Sequence, residues 1–245
     1  MRIMRLMVGI LWLAGTVAMG QPMTFKDQAF LMAPRNLRLV PYWTPSNAGI
    51  VWTDNSGDHT IDWMTNFQAN ANLASVRVVE MNGEYITSIN GLYTMPALTN
   101  LNIQANSLTN LDLSACVNLI NLSASYNSLT EVNVTRLSEL AVLDVANNGI
   151  NTLDLTHNAK LLGVTASSNH LTNLDISGNP LLISVFCDVN MLTQAAVDEA
   201  LRQLVVHGKN GMYAWFNGAG NAAPTAAGLG YKATLVARGW NVQNN

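Results

Sequence analysis

A β-rich solenoid, built of short coils with two strands each and closed at its C-terminal end by an α/β unit, is the fold this sequence predicts. Three observations predict it. Asparagine stands at 106, 127, 148, 169 and 190, one every 21 residues, and the same apolar frame surrounds each of them. Self-similarity at a fixed period of this length marks a stack of coils with no single closed core. Finally, only 11% of the residues are charged, against about 25% in ordinary globular domains, as expected of a body faced with Asn, Ser and Thr.

The frame justifies the coil column by column. Leu98, Leu119, Leu140, Leu161 and Leu182 open the units; Leu101, Leu122, Leu143, Val164 and Val185 follow, then Ile103, Ala124, Val145, Ala166 and Cys187. The second half repeats the rhythm with Leu111, Val132, Leu153 and Leu174, then Leu113, Val134, Leu155 and Ile176. Each half thus carries an apolar-x-apolar pair, the alternation of a short strand with one face inward, so two strands per coil are expected. One such coil is too thin to bury its own apolar side. Stacked at about 4.8 Å, neighbouring coils merge their leucine columns into one core.

The asparagines have a structural reason. A tight turn inside a stack strands buried N–H and C=O groups, and an Asn amide both donates and accepts. Asn106, Asn127, Asn148, Asn169 and Asn190 are therefore expected to bond turn backbone in their own and the adjoining coil.

The unit LTNLNIQANSLTNLDLSACVN (98–118) fits the pattern LxxLxLxxNxLxxLDLxxxxx, and at this point the chain resembles the leucine-rich repeat family, in its short 21-residue bacterial class with nested half-repeats. The match is close over 98–192 and loose over 73–97. There Leu73, Val76, Val78, Ile86, Ile89 and Leu92 read as a distorted first unit, with extra residues around Asn82-Gly83-Glu84. The resemblance implies a binding scaffold and not a reaction. It divides the chain into a leader (1–20), an N-terminal cap (21–72), the solenoid (73–192) and a C-terminal cap (193–245).

The flanks follow the same logic. Arg2 and Arg5 precede an apolar run from Leu6 to Val17, and Ala18-Met19-Gly20 supplies small residues before Gln21. This is the pattern of a cleaved export leader, too short to span a membrane stably. Trp43, Trp52 and Trp63 with Tyr42 plug the open end of the stack or, alternatively, form a carbohydrate platform. Asp54 to Asp58 lacks the spacing and closing Glu of a calcium loop and reads as a turn.

After the repeats, Thr193 caps a helix with Val197, Leu201, Leu204 and Val205 on one face and Gly208 as its stop. Met212 to Phe216 reads as a strand, Ala226 to Arg238 as a helix with Leu229, Ala233 and Val236 along one side, and Trp240 to Val242 as a last strand. This α/β cap is expected to cover the last sheet edge. Residues 221–242 resemble a tail found after such repeats in bacterial surface proteins and in some phage structural proteins.

Little in the chain suggests chemistry. The histidines at 59, 157, 170 and 207 share no metal-ligand spacing, and no nucleophile elbow or phosphate loop is present, so an enzyme is not expected. Cys116 and Cys187 lie over three coils apart, roughly 15 Å along the stack, too far for a disulfide. Net charge is −3, and within 98–192 seven acidic residues face only Arg136 and Lys160, which argues against a nucleic-acid partner.

Two columns are candidate sites. Asp112, Asn133, Asp154 and Asp175 recur with Ser114, Thr135, Thr156 and Ser177 two residues on. Each carboxylate either accepts bonds from the neighbouring hydroxyl and turn N–H, or the acidic strip of Asp112, Asp154 and Asp175 binds Ca²⁺ weakly or a sugar. No other cofactor is implied. The opposite strand face is small and polar, with Tyr126 and Phe186 as the only aromatics of the repeat body; a partner docking there would meet these two with Asp144 and Asp188. The function expected is non-enzymatic: a secreted or surface-exposed bacterial protein for recognition or adhesion, holding a protein or glycan. The alternative is a structural component among neighbouring subunits of a phage virion or an extracellular filament. A hydrolase hidden in 21–72 is the third class considered.

Overall fold

Successive coils pair in register at the period of the sequence. Leu101 lies opposite Leu122, Leu122 opposite Leu143, and Leu143 opposite Val164, all in parallel. The computed structural model describes residues 36–39, 50–53, 60–62, 77–80, 83, 86–90, 92 and 95–245. The leader at 1–20, Tyr42, Trp43 and Trp63 of the expected cap, and the turn at 54–58 lie outside the described residues.

Strands β1 (Asn36–Leu39) and β2 (Ile50–Thr53) pair antiparallel, and β3 (Thr60–Asp62) pairs with β5 (Ser88–Asn90) in parallel. The main sheet starts at β4 (Val78–Glu80). It continues through β6 (Asn100–Asn102), β7 (Asn121–Ser123), β8 (Val142–Asp144), β9 (Gly163–Thr165) and β10 (Ser184–Phe186). Beyond the 21-residue units, helix α1 (Gln194–His207), strand β11 (Tyr213–Trp215), helix α2 (Ala226–Ala237) and strand β12 (Asn241–Gln243) follow. Among the described residues this sheet has eight parallel strands, ordered β12-β11-β10-β9-β8-β7-β6-β4.

The middle residue of each strand points inward and is buried, and the columns of Leu98, Leu101, Ile103 and Leu108 run coil to coil as one continuous core. Six or seven core side chains in each unit from 98 to 181 leave water, at about 25 cal/mol per Å² of apolar area.

Two strands per coil is not what forms. Among the described residues only the first half of each 21-residue unit is a strand, and in the second half a strand appears only as β5, whose partner is β3. The inward alternation survives there, since Leu113, Val134, Leu155 and Ile176 are buried. The ladder does not. One backbone bond per coil crosses this side, as from Ser128 N to Leu108 O or His170 N to Ile150 O. The chain then turns back on itself, with Leu137 N donating to Val134 O and Leu140 N to Leu137 O. Turn bonds within the coil use the groups a second ladder would need.

The C-terminal segment follows the order helix, strand, helix, strand, but it extends the sheet rather than covering its edge. β11 pairs with β10 and β12 with β11, so β12 is the outermost strand. Asn221 takes up the asparagine pattern here: Leu192 N donates to its Oδ1 (2.9 Å), and its Nδ2 donates to Cys187 O (2.8 Å) and Phe216 O (3.0 Å). The stripe of Leu229, Ala233 and Val236 is exposed; α2 buries Gly228 and Leu235 instead. A Cβ at residue 228 would lie 1.9 Å from Asp198 Oδ1, so glycine is what lets α2 sit against α1. Cys116 and Cys187 are free, buried thiols, that of Cys116 pushed up to about 11 by desolvation. No helix among the described residues is long and apolar enough to cross a membrane.

Candidate functional site

Each strand of three residues turns its first and third side chains away from the core, so the sheet presents an outer face one coil wide per strand. Phe186 stands on that face in β10, with Tyr213 and Trp215 beside it in β11. Phe186 stacks on Tyr213 with ring centroids 5.8 Å apart, and meets Trp215 edge-on at 4.9 Å and 88°. Tyr213 and Trp215 are themselves edge-to-face at 5.9 Å, so the three rings form one cluster. Phe186 is the aromatic that the sequence names on this face; Tyr213 and Trp215 beside it are not among the residues expected there. Tyr213-Ala214-Trp215 repeats the out-in-out pattern of Ser184-Val185-Phe186, and that repetition is the signal which places them there.

Asp188 lies two residues beyond Phe186, and Ser167 Oγ donates to its Oδ1 at 2.5 Å. Asp144, in β8, is only 8% exposed. Ala146 N donates to its Oδ1 (3.1 Å) and Ser125 Oγ to its Oδ2 (3.1 Å). Burial nevertheless raises the Asp144 carboxyl above the usual range, outweighing those bonds. Gly163, the first residue of β9, is buried and lies level with Val142 and Ser184, with the Ser184 Cβ 4.0 Å from where a side chain would start. Ser184 is 2% exposed, and its Oγ has no hydrogen-bond partner.

Tyr126 is apart from this group. It occupies a rim column in which Gly83, Ala105, Tyr126, Asn147, Ser168 and Val189 all have φ between 53° and 74°. Its ring is 55% exposed, with neither Phe186 nor Asp188 in its coil. The left-handed column is a further feature that pattern reading did not anticipate. Glycine at 83 and Asn147 are its only sequence signals.

The acidic column is held by turns. Ser114 N, Thr156 N and Ser177 N each donate to the aspartate two residues before, all at 2.9 Å, and Thr135 N does the same to Asn133 at 3.1 Å. These bonds hold Asp112 and Asp175 below the ordinary carboxylate range, and for Asp154 the Thr156 hydroxyl, which also donates to it, is the larger cause. Among the described residues no three His, Cys, Asp or Glu side chains converge as a metal site.

The asparagine column is geometrically uniform. Asn127 Oδ1 accepts from Leu108 N of the preceding coil (3.0 Å), while Nδ2 donates to Ile103 O in that coil (3.0 Å) and Ala124 O in its own (3.1 Å). Asn148, Asn169 and Asn190 repeat the set, and Asn106 accepts from Ile86 N (3.0 Å). Each amide thus reaches back one coil. Asn158 and Asn179 add a second buried column, donating to Val134 O and Leu155 O at 2.9 Å.

No family model matches this chain, and no curated protein does. Solved structures do. A leucine-rich repeat protein of Leptospira interrogans aligns at 20% identity with a TM-score of 0.54, over 70% of this chain and 49% of that one. Internalin C2 of Listeria monocytogenes aligns at 17% identity and 0.52, over 75% and 87%. The functional domain of internalin J from the same organism is matched over 59% of this chain and 40% of that one, at 21% identity and 0.41. The chain therefore spans about half the length, or less, of two of these three. The likeness is one of fold: the chain is a leucine-rich repeat solenoid.

Proposed function

We propose that this protein is a non-enzymatic recognition module, acting at or outside the bacterial cell surface, which holds a protein or glycan on the outer sheet face over β8 to β11. The cluster of Phe186, Tyr213 and Trp215 carries this reading. Aromatic anchors set in a polar face are what supplies binding energy in recognition surfaces. The surface location is supported by the leader pattern of Arg2 to Gly20. The test is capture on arrays of extracellular proteins and glycans with wild type and a Tyr213→Ala, Trp215→Ala pair. A ligand that the pair loses, at unchanged secondary structure, supports the reading; ligands retained undiminished by the pair remove this face as the site.

A further inference from the structure

The charge on this face is one-sided. From β6 to β12 the outward strand positions and those two residues after each strand hold no Lys, Arg or His; their charges are Asp144 and Asp188. Among the described residues the ion pairs are Lys160 with Glu139 and Arg202 with Glu199, so neither aspartate of the face has a counter-cation. Asp188 uses one oxygen on Ser167 and directly follows the aromatic cluster in its coil. A carboxylate next to electron-rich ring faces is attractive twice over to a cation: by charge, and by the ring quadrupole at about 0.5–2 kcal/mol. A guanidinium is suited to both, since it pairs with carboxylate and stacks on aromatic planes.

Resting on the recognition reading above, we infer that the ligand is a basic polypeptide segment, with a Lys or Arg side chain seated between Asp188 and the partly exposed ring of Trp215. A neutral glycan gains hydroxyl hydrogen bonds from the carboxylates but no charge attraction, and an anionic polymer is repelled by them.

The full chain is titrated with a labelled eight-residue peptide alternating Arg and Ser, with its citrulline counterpart, and with chitotetraose. The Arg peptide should bind, and should weaken as salt is raised from about 0.05 to about 0.5 M. Its citrulline counterpart should bind roughly tenfold less tightly, the scale of one hydrogen bond between ionised groups. Asp188→Asn and Trp215→Leu should each cost the Arg peptide a similar factor, with melting checked for each. The double variant Asp112→Asn, Asp154→Asn removes the same kind of charge elsewhere and should leave affinity unchanged. Equal binding of the citrulline peptide, or equal loss in the Asp112, Asp154 variant, overturns the basic ligand. Chitotetraose binding that depends on Trp215, with the Arg peptide inert, also overturns it but leaves the recognition face standing. Binding of no probe overturns the basic ligand; binding of any probe unaffected by Trp215→Leu removes both readings.

Discussion

At the scale of single residues, the asparagine amide does the work that strands do elsewhere. Asn148 accepts from Leu129 N at 3.0 Å and donates to Ala124 O and Val145 O. Asn148→Ala leaves the Leu129 N–H without its partner and takes one of two asparagine donors from each of Ala124 O and Val145 O, and should cost about 2 kcal/mol in denaturant melts. Val189 is strained in the other direction, since a β-branched residue at φ 53° is a costly occupant of the left-handed region. Val189→Asn, which copies Asn147 in the same column, should stabilise by about 1 kcal/mol. Asp144 predicts a pH effect. Its folded carboxyl titrates above the ordinary value, so its favourable contribution is complete below about pH 3.9 and is lost as pH rises through the folded pKa. Asp144→Asn should therefore gain on wild type in melting temperature as pH goes from about 4 to 7. Unchanged spacing between the two curves would refute this. These columns differ in legibility. The ladder asparagines were readable because one residue type fills the column without a break, whereas the left-handed column holds Ala, Tyr, Asn, Ser and Val, and its backbone conformation is imposed by the turn and not by residue type.

Among the elements, the junction of coil and helix is the most informative. Gln203 of α1 is 5% exposed; its Oε1 accepts from Ile176 N at 2.8 Å, and its Nε2 donates to Asp175 Oδ1 and Glu199 Oε1, both at 3.0 Å. A side chain thereby supplies the partner that the missing second ladder does not. Gln203→Leu should cost about 2 kcal/mol, with early hydrogen exchange at Ile176 as its local sign. Alternation in the sequence announced which side chains turn inward in both halves of a coil, and the structure agrees. It did not announce pairing, because pairing depends on where neighbouring backbone groups are already bonded. The same limit hid Tyr213 and Trp215: coils of 21 residues give way to a spacing of 29 between β10 and β11, so a fixed period loses the register just where the rings begin.

For the molecule as a whole, coils touch only their neighbours, and stability is close to a sum of local terms and interfaces. Leu143→Ala, at a fully buried position in the middle of the stack, should cost about 3 kcal/mol. Its effect on exchange should concentrate in β7 to β9 and leave β11 and β12 protected. Uniform loss of protection would show a single cooperative unit instead. The helices have one geometric consequence of their own. α1 and α2 pack side by side, and helix axes need about 8–10 Å, while the strands they connect are held about 4.8 Å apart. A back wider than its front favours a sheet that curves towards its outer face over β10 to β12, the stretch that carries Phe186, Tyr213 and Trp215.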